Sequence, residues 1–227
     1  MPSEPVFIPD NFGYSTEQFI LPDNVDKKDI SSIIIPGGMI RDRIKTLARE
    51  IRDDYKHDDL YMLCVLKGSD QIFSDLKHYL ISFAQVGDKP FGFDYIPASS
   101  YKNDKATGKL HIGTLKYPEV IKDKRVLLIE DIIDSGKTMA GKDYVKGQIP
   151  TGGLIGHLLQ YQPLEIAVAS LTVKRTSESN GFKPKFAGFS IPNKFVVGYG
   201  LDFNENFRTL VHLCELSDFA KEKYEEK

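Results

Sequence analysis

The run Arg125-Val126-Leu127-Leu128-Ile129-Glu130-Asp131-Ile132-Ile133-Asp134-Ser135-Gly136-Lys137-Thr138 decides how this chain is read. Four apolar residues, Val126 to Ile129, bounded by charge, have the pattern of a strand buried in a parallel sheet. In an open α/β sheet, ligands collect beyond the carboxyl ends of the strands. Glu130 and Asp131 stand at such an end, and Asp134 follows three residues later. The segment Asp134 to Thr138 has the composition of a tight turn into a helix N-terminus. The N–H groups of a helix's first turn, which have no partner within the helix, and two hydroxyls make a seat for a phosphate. Carboxylates beside such a seat would repel a phosphate unless they hold something else. Ribose hydroxyls and Mg²⁺ fit, because Mg²⁺ takes oxygen ligands and bridges carboxylates to phosphates. Gly136-Lys137-Thr138 by itself is an ordinary helix start. The nucleoside-triphosphate loop Gly-x-x-x-x-Gly-Lys-Thr needs glycine where Asp131 stands, so that motif fails.

Around this stretch the chain has the balance of a globular domain. At 227 residues, with 41% hydrophobic and 27% charged residues, it has room for one good-sized domain and a small appendage. A formal charge of −2 gives no footprint for nucleic acid. No run approaches the roughly twenty apolar residues that span a bilayer. The start, Met1 to Pro5, lacks the basic and apolar regions of a signal peptide. Cys64 and Cys214 do not make a disulfide framework, which suits a reducing cytosol.

Strand and helix patterns alternate on both sides. Residues 1–37, with five prolines, read as irregular chain with short strands. Gly37-Gly38 opens a helix with Ile40, Ile44, Leu47, Ala48, Ile51 and Tyr55 on one face. Leu60 to Leu66 is a second buried strand. It ends in Lys67-Gly68-Ser69-Asp70 and leads to a helix with Ile72, Phe73, Leu76, Tyr79 and Leu80 inward. Phe91–Pro97 and Leu164–Val173 read as further strands, and Ala98–Gly108 as a polar loop. The helix expected over 139–160 is interrupted by Gly141, Gly147, Pro150, Gly152 and Gly153, each poor in a helix interior. Either a loop is extruded from it, with Leu154–Tyr161 resuming the helix, or the phosphate turn is propped in another way.

The run from Val126 to Thr138 resembles the phosphoribosyl-pyrophosphate signature of the type I phosphoribosyltransferases, and in detail that of the hypoxanthine-guanine purine salvage family. The resemblance extends from about Tyr14 to Tyr224 and rests on four motifs in order. Leu66-Lys67-Gly68 is similar to the family's pyrophosphate loop, whose Leu–Lys peptide can be cis, although Ser69 stands where a second glycine is common. Ser100-Tyr101 is similar to the pair on the family's mobile lid. Lys174, in Val-Lys-Arg-Thr, matches the lysine that donates to O6 of a purine. Lys194-Phe195-Val196 matches the segment that stacks on the base and meets its edge. Asp202 matches a metal-binding aspartate and Arg208 an arginine on the pyrophosphate, with Thr209 where an aspartate is frequent.

The resemblance implies a twisted, mainly parallel α/β sheet flanked by helices. The core would comprise residues 38–190, with a purine-binding hood from 1–37 and 191–227. It implies transfer of phosphoribose to hypoxanthine or guanine. Glu130 to Thr138, including Ile132 and Ile133, would hold the ribose and 5′-phosphate, and Asp134 would act as acid and base at N7. Lys67, Gly68 and Arg208 would hold pyrophosphate, and Lys174, Lys194, Phe195, Val196 and Asp202 the purine. Mg²⁺ would sit on Asp202, Glu130 and Asp131. It further implies a cytoplasmic homodimer or homotetramer whose partners are phosphoribosyl pyrophosphate and 6-oxopurines, with neither nucleic acid nor membrane. The alternatives are a relative that prefers xanthine and, because of the interruption after Met139, a nucleotide binder with weak turnover.

Overall fold

Alternation along the central strands sets the layers. The structure, a computed structural model, describes the backbone of residues 2–102 and 105–225, and the side chains of these except 99–102 and 105–109. In chain order the elements are β1 (Val6–Phe7), β2 (Ile30–Ile35), α1 (Gly37–Tyr55), β3 (Leu60–Leu66), α2 (Asp70–Phe83), β4 (Gly92–Lys102) and β5 (Lys105–Ile112). There follow β6 (Arg125–Ile133), α3 (Lys137–Ala140), α4 (Gly153–Leu159), β7 (Glu165–Lys174), β8 (Phe186–Ile191), β9 (Val196–Val197), β10 (Leu213–Leu216) and α5 (Asp218–Tyr224).

Seven strands form one sheet in the order β1-β8-β7-β6-β3-β4-β5, parallel throughout except for the β4–β5 hairpin. Successive side chains of a strand point to opposite faces. Thus Leu127 and Ile129 of β6, with Met62 and Cys64 of β3, pack with Ile40, Ile44, Phe73 and Leu76 of α1 and α2. Val126 and Leu128, with Leu63 and Val65, pack with Leu154, Ile155 and Leu158 of α4 on the other face. Phe73, Phe186 and Phe189 are wholly buried, each contributing roughly 1.5–3 kcal/mol of apolar burial. The expected inward faces of α1 and α2 are the observed ones, with Tyr79 only partly buried.

A second, antiparallel sheet, β2-β10-β9, draws on both ends of the chain and has its own core around Ile33, Val197, Phe203, Leu210 and Cys214. The first 37 residues divide between the sheets, since residues 6–7 pair with β8 and residues 30–35 with β10.

Two expectations change. The stretch read as a polar loop after Pro97 is drawn into the β4–β5 hairpin, because a partner strand supplies the backbone bonds that composition did not advertise. The lid candidates Ser100 and Tyr101 lie on β4, and their side chains are outside the described residues. The helix expected over 139–160 is two pieces. α3 makes a single turn, residues 141–152 leave it, and α4 resumes at Gly153.

Candidate active site

Strand pairing opens the site. Between β3 and β6 it ends at Cys64–Ile129, whereas between β6 and β7 it continues to Ile133–Val173. Past Ile129, β6 therefore has ladder partners on the β7 side only, at Glu130, Ile132 and Ile133. Glu130 and Asp131 lie within the strand rather than past its end, because β7 continues beside them. On their open side is the turn at Leu66–Gly68, and a cleft of about 810 Å³ runs between the two.

The carboxylate pair is buried and incompletely satisfied. Glu130 and Asp131 are 8% and 9% exposed. Among the described residues, Glu130 Oε2 has no hydrogen-bond partner. Burial, and then the neighbouring Asp131, pushes the Glu130 carboxyl well above its usual range. Burial likewise raises Asp131 to about 6, although the Ile132 N–H, donating to its Oδ1 at 2.6 Å, and the nearby Arg208 pull the other way. The Thr172 hydroxyl donates to the Asp131 carbonyl at 3.0 Å and fixes its backbone. Unpaired buried acceptors of this kind suit hydroxyl donors or a hard divalent cation. Among the described residues no three acidic, His or Cys side chains converge as a metal cage. A cation here would draw its other ligands from substrate or water, as Mg²⁺ commonly does.

Cations line the opposite wall. The Leu66–Lys67 peptide is cis. A Cβ on Gly68 would run into the Asp131 carboxylate, and one on Gly200 into the Gly68 carbonyl, so neither glycine has room for a side chain where these segments meet. Arg208 Nη1 donates to the Gly200 carbonyl at 2.9 Å, while Nη2 lies 2.9 Å from Asp202 Oδ1. Lys67 reaches Glu205 Oε2 at 3.1 Å, and Arg208 Nη2 reaches Glu205 Oε1 at 3.1 Å. Local periodicity gives no signal for Glu205. Its backbone, with those of Asn204 and Phe207, lies in the left-handed region that non-glycine residues seldom adopt. Such backbone persists where neighbours hold it, here the Glu205 N–H donating to Asp202 Oδ2 at 2.7 Å and the Asn204 amide to the Tyr224 carbonyl at 2.8 Å.

At the third wall, Lys174 Nζ lies 3.0 Å from Asp134 Oδ2. Val196 and Phe203 line the cleft, and Phe195 meets Phe203 edge to face at 5.5 Å. Phe203 escaped the sequence reading because an aromatic beside Asp202 looks like core. Lys194 is not at the cleft wall: its ammonium pairs with Glu215 at 2.8 Å, and the Ser32 hydroxyl donates to the same oxygen.

The turn after β6 completes the cleft. Ile132, Ile133, Asp134, Ser135, Gly136 and Thr138 line it, whereas the Lys137 ammonium lies 4.0 Å from Glu178. Gly136 has φ 79°, a conformation open to glycine, and turns the chain from strand to helix.

Residues 36–204 match the family model for the phosphoribosyl transferase domain. The chain is 40% identical over 217 residues to hypoxanthine-guanine phosphoribosyltransferase of Rattus norvegicus, covering 95% of this chain and 94% of the relative. It is 39% identical over 226 residues to hypoxanthine-guanine-xanthine phosphoribosyltransferase of Plasmodium falciparum, covering 97% and 92%. Among solved structures it is similar to hypoxanthine-guanine phosphoribosyltransferase of Schistosoma mansoni in complex with IMP, with a TM-score of 0.77, 34% identity, and 98% and 100% of the two chains covered. Since these likenesses run through β6, the turn after it and the strands that frame the cleft, the chain belongs to the phosphoribosyltransferase family, in the branch of the hypoxanthine-guanine phosphoribosyltransferases.

Proposed function

We propose that this protein transfers the 5-phosphoribosyl group of phosphoribosyl pyrophosphate to N9 of hypoxanthine or guanine, giving IMP or GMP and releasing pyrophosphate. The observation that carries the reading is the order of groups along one cleft. Within this cleft Gly68 and Arg208 lie beside the buried Asp131, and Asp134, paired with Lys174, follows three residues further along the chain. That order matches a substrate with pyrophosphate at one end, ribose in the middle and a base acceptor beside it.

In this reading Glu130 and Asp131 accept from the ribose hydroxyls, and the turn Ser135–Thr138 holds the 5′-phosphate. Lys67, the Gly68 N–H and Arg208 hold the pyrophosphate. Lys174 donates to O6, so that adenine, which offers no acceptor there, leaves a buried donor unpaired. Val196 meets the edge of the base and Phe195 its face. Asp134, beside Lys174, takes and returns the proton at N7. The chain supplies no covalent nucleophile; it orients the reactants and stabilises the charge that develops. Asp202, Glu130 and Asp131 would hold Mg²⁺, which when bound offsets the charge of the departing pyrophosphate. The small sheet β2-β10-β9 forms the hood over the base, and the seven-stranded sheet, which takes β1 from the first 37 residues, the core. Two buried free thiols, Cys64 and Cys214, suit a cytoplasmic enzyme, and we expect a homodimer or homotetramer.

An absorbance assay with phosphoribosyl pyrophosphate, Mg²⁺ and guanine, hypoxanthine or xanthine in turn tests this reading. Turnover with the first two is expected. Tight binding of IMP with no product from any base would replace it with that of a nucleotide binder. That reading is not favoured, because the interruption begins after α3 and leaves Ser135, Gly136 and Thr138 on the cleft wall.

A further inference from the structure

The excursion at 141–152 removes what ordinarily braces a phosphate turn, a continuous helix behind it. A four-residue helix leaves its last carbonyls without the partners that another turn would supply. One residue, distant in sequence, meets that need. The Asn180 side-chain amide donates to the Gly141 carbonyl at 3.0 Å, and the Asn180 backbone N–H donates to the Ser135 carbonyl at 2.9 Å. Its Oδ1 accepts the Phe182 N–H at 3.0 Å and lies where a side chain on Gly136 would have to go. Asn180 therefore holds the segment 135–141, the turn and the short helix behind it, at both ends.

We infer that Asn180 is a positioning residue for the 5′-phosphate turn, standing in for the missing helix; this rests on the reading of Ser135–Thr138 as the phosphate seat. The peptide after Ser135 is planar and trans. Drawing the Ser135 carbonyl toward Asn180 therefore aims the Gly136 N–H the opposite way, on the side where Ser135, Gly136 and Thr138 line the cleft. The excursion secures Asn180 in turn. Its two ends meet, since a Cβ on Gly141 would lie 2.9 Å from Gly152 Cα and one on Gly153 2.6 Å from the Met139 carbonyl. From there the chain folds back over the 180–182 segment. Tyr144 stands edge to face on Phe182 at 5.8 Å, and the Lys146 stem lies over Gly181.

The test is calorimetric titration of the full chain with IMP and with inosine, which differ only in the phosphate, beside steady-state kinetics with phosphoribosyl pyrophosphate. For Asn180→Ala, IMP affinity should fall about tenfold or more, the worth of a misaligned charge-assisted hydrogen bond, while inosine affinity stays within about twofold. KM for phosphoribosyl pyrophosphate should rise by a similar factor with a smaller change in kcat. Asn180→Asp keeps the acceptor for Phe182 but cannot donate to Gly141, so it should move both readouts in the same direction; it decides the matter if the alanine variant does not fold. Unchanged IMP affinity, or equal loss of IMP and inosine, overturns the role of Asn180. A wild-type protein that binds inosine as tightly as IMP overturns the phosphate seat itself, and this inference with it.

Discussion

Lys174 and Asp134 face each other at 3.0 Å in the cleft, with Lys174 Nζ donating to Asp134 Oδ2. The ammonium proposed to select the base and the carboxylate proposed to move its proton are thus one hydrogen-bonded unit. Asp134→Asn keeps the shape but cannot take a proton. It should lower kcat by about 10²–10³-fold, with GMP affinity changed far less. Lys174→Ala should raise adenine use relative to hypoxanthine, and unchanged selectivity in competition assays would remove Lys174 from that role.

Glu205 occupies the two cations proposed to hold pyrophosphate, Lys67 and Arg208. Arg208 first, and then Lys67, holds its carboxyl below the usual range, so it remains an anion throughout neutral pH. Both contacts are largely exposed on the Glu205 side, and each is worth at most about 1 kcal/mol. Glu205→Gln should therefore lower KM for phosphoribosyl pyrophosphate by roughly two- to fivefold and strengthen inhibition by pyrophosphate to a similar degree. The difference from wild type should shrink at high ionic strength. An increased KM would show that Glu205 assists binding instead.

The raised pKa of Asp131 fixes the sign of its effect on stability. Folding raises it from the usual carboxylate range to about 6, so between those values the folded protein binds the extra proton. Ionised Asp131 consequently costs stability as pH rises through 6. Asp131→Asn should stabilise the ligand-free protein at pH 7.5 by up to roughly 3 kcal/mol, and the gain should vanish near pH 3.5, where the carboxyl is protonated folded or unfolded. Activity of the variant should be severely reduced. Denaturant titrations at the two pH values, read against the activity assay, check both parts.

Gly200 has φ 99°, and a Cβ there would strike the Gly68 carbonyl; Gly87 has φ 97° with open space around it. Gly87→Ala isolates the backbone cost, about 1 kcal/mol. Gly200→Ala should cost at least about 2 kcal/mol and should also weaken pyrophosphate binding, because it displaces the loop carrying Lys67. Equal losses of stability at the two positions would mean that the close approach of these loops has no energetic weight.

Much of the architecture was legible because it is local. Apolar residues at i, i+3 and i+4 marked the buried faces of α1 and α2, and the uninterrupted runs around Met62 and Leu127 marked strands covered on both sides. The β6 motif holds Glu130, Asp131 and Asp134 within five residues of one another. What escaped depends on partners far away in the chain. Glu205 meets Lys67 across 138 positions, Lys194 turns to Glu215 on a neighbouring strand, and Asn180 reaches back to Gly141. Composition made 98–108 look irregular, but a strand is completed by its neighbour's backbone. The glycines and proline after Met139 correctly signalled a break in the helix, yet no local rule says that the ends of an extruded segment will close on each other.

The one-sided pairing at the end of β6 divides the molecule by how readily its amides meet solvent. Residues 126–129 are bonded to β3 and β7 and covered by helices on both faces, so their deuterium uptake should require unfolding of the whole domain. Glu130 continues that ladder on the β7 side only, and Lys67 and Glu205, exposed on the facing turns, should exchange soonest. The part of the cleft proposed to hold ribose is thus built on the most firmly held strand, and the adjustments of a catalytic cycle should fall to the side proposed to hold pyrophosphate.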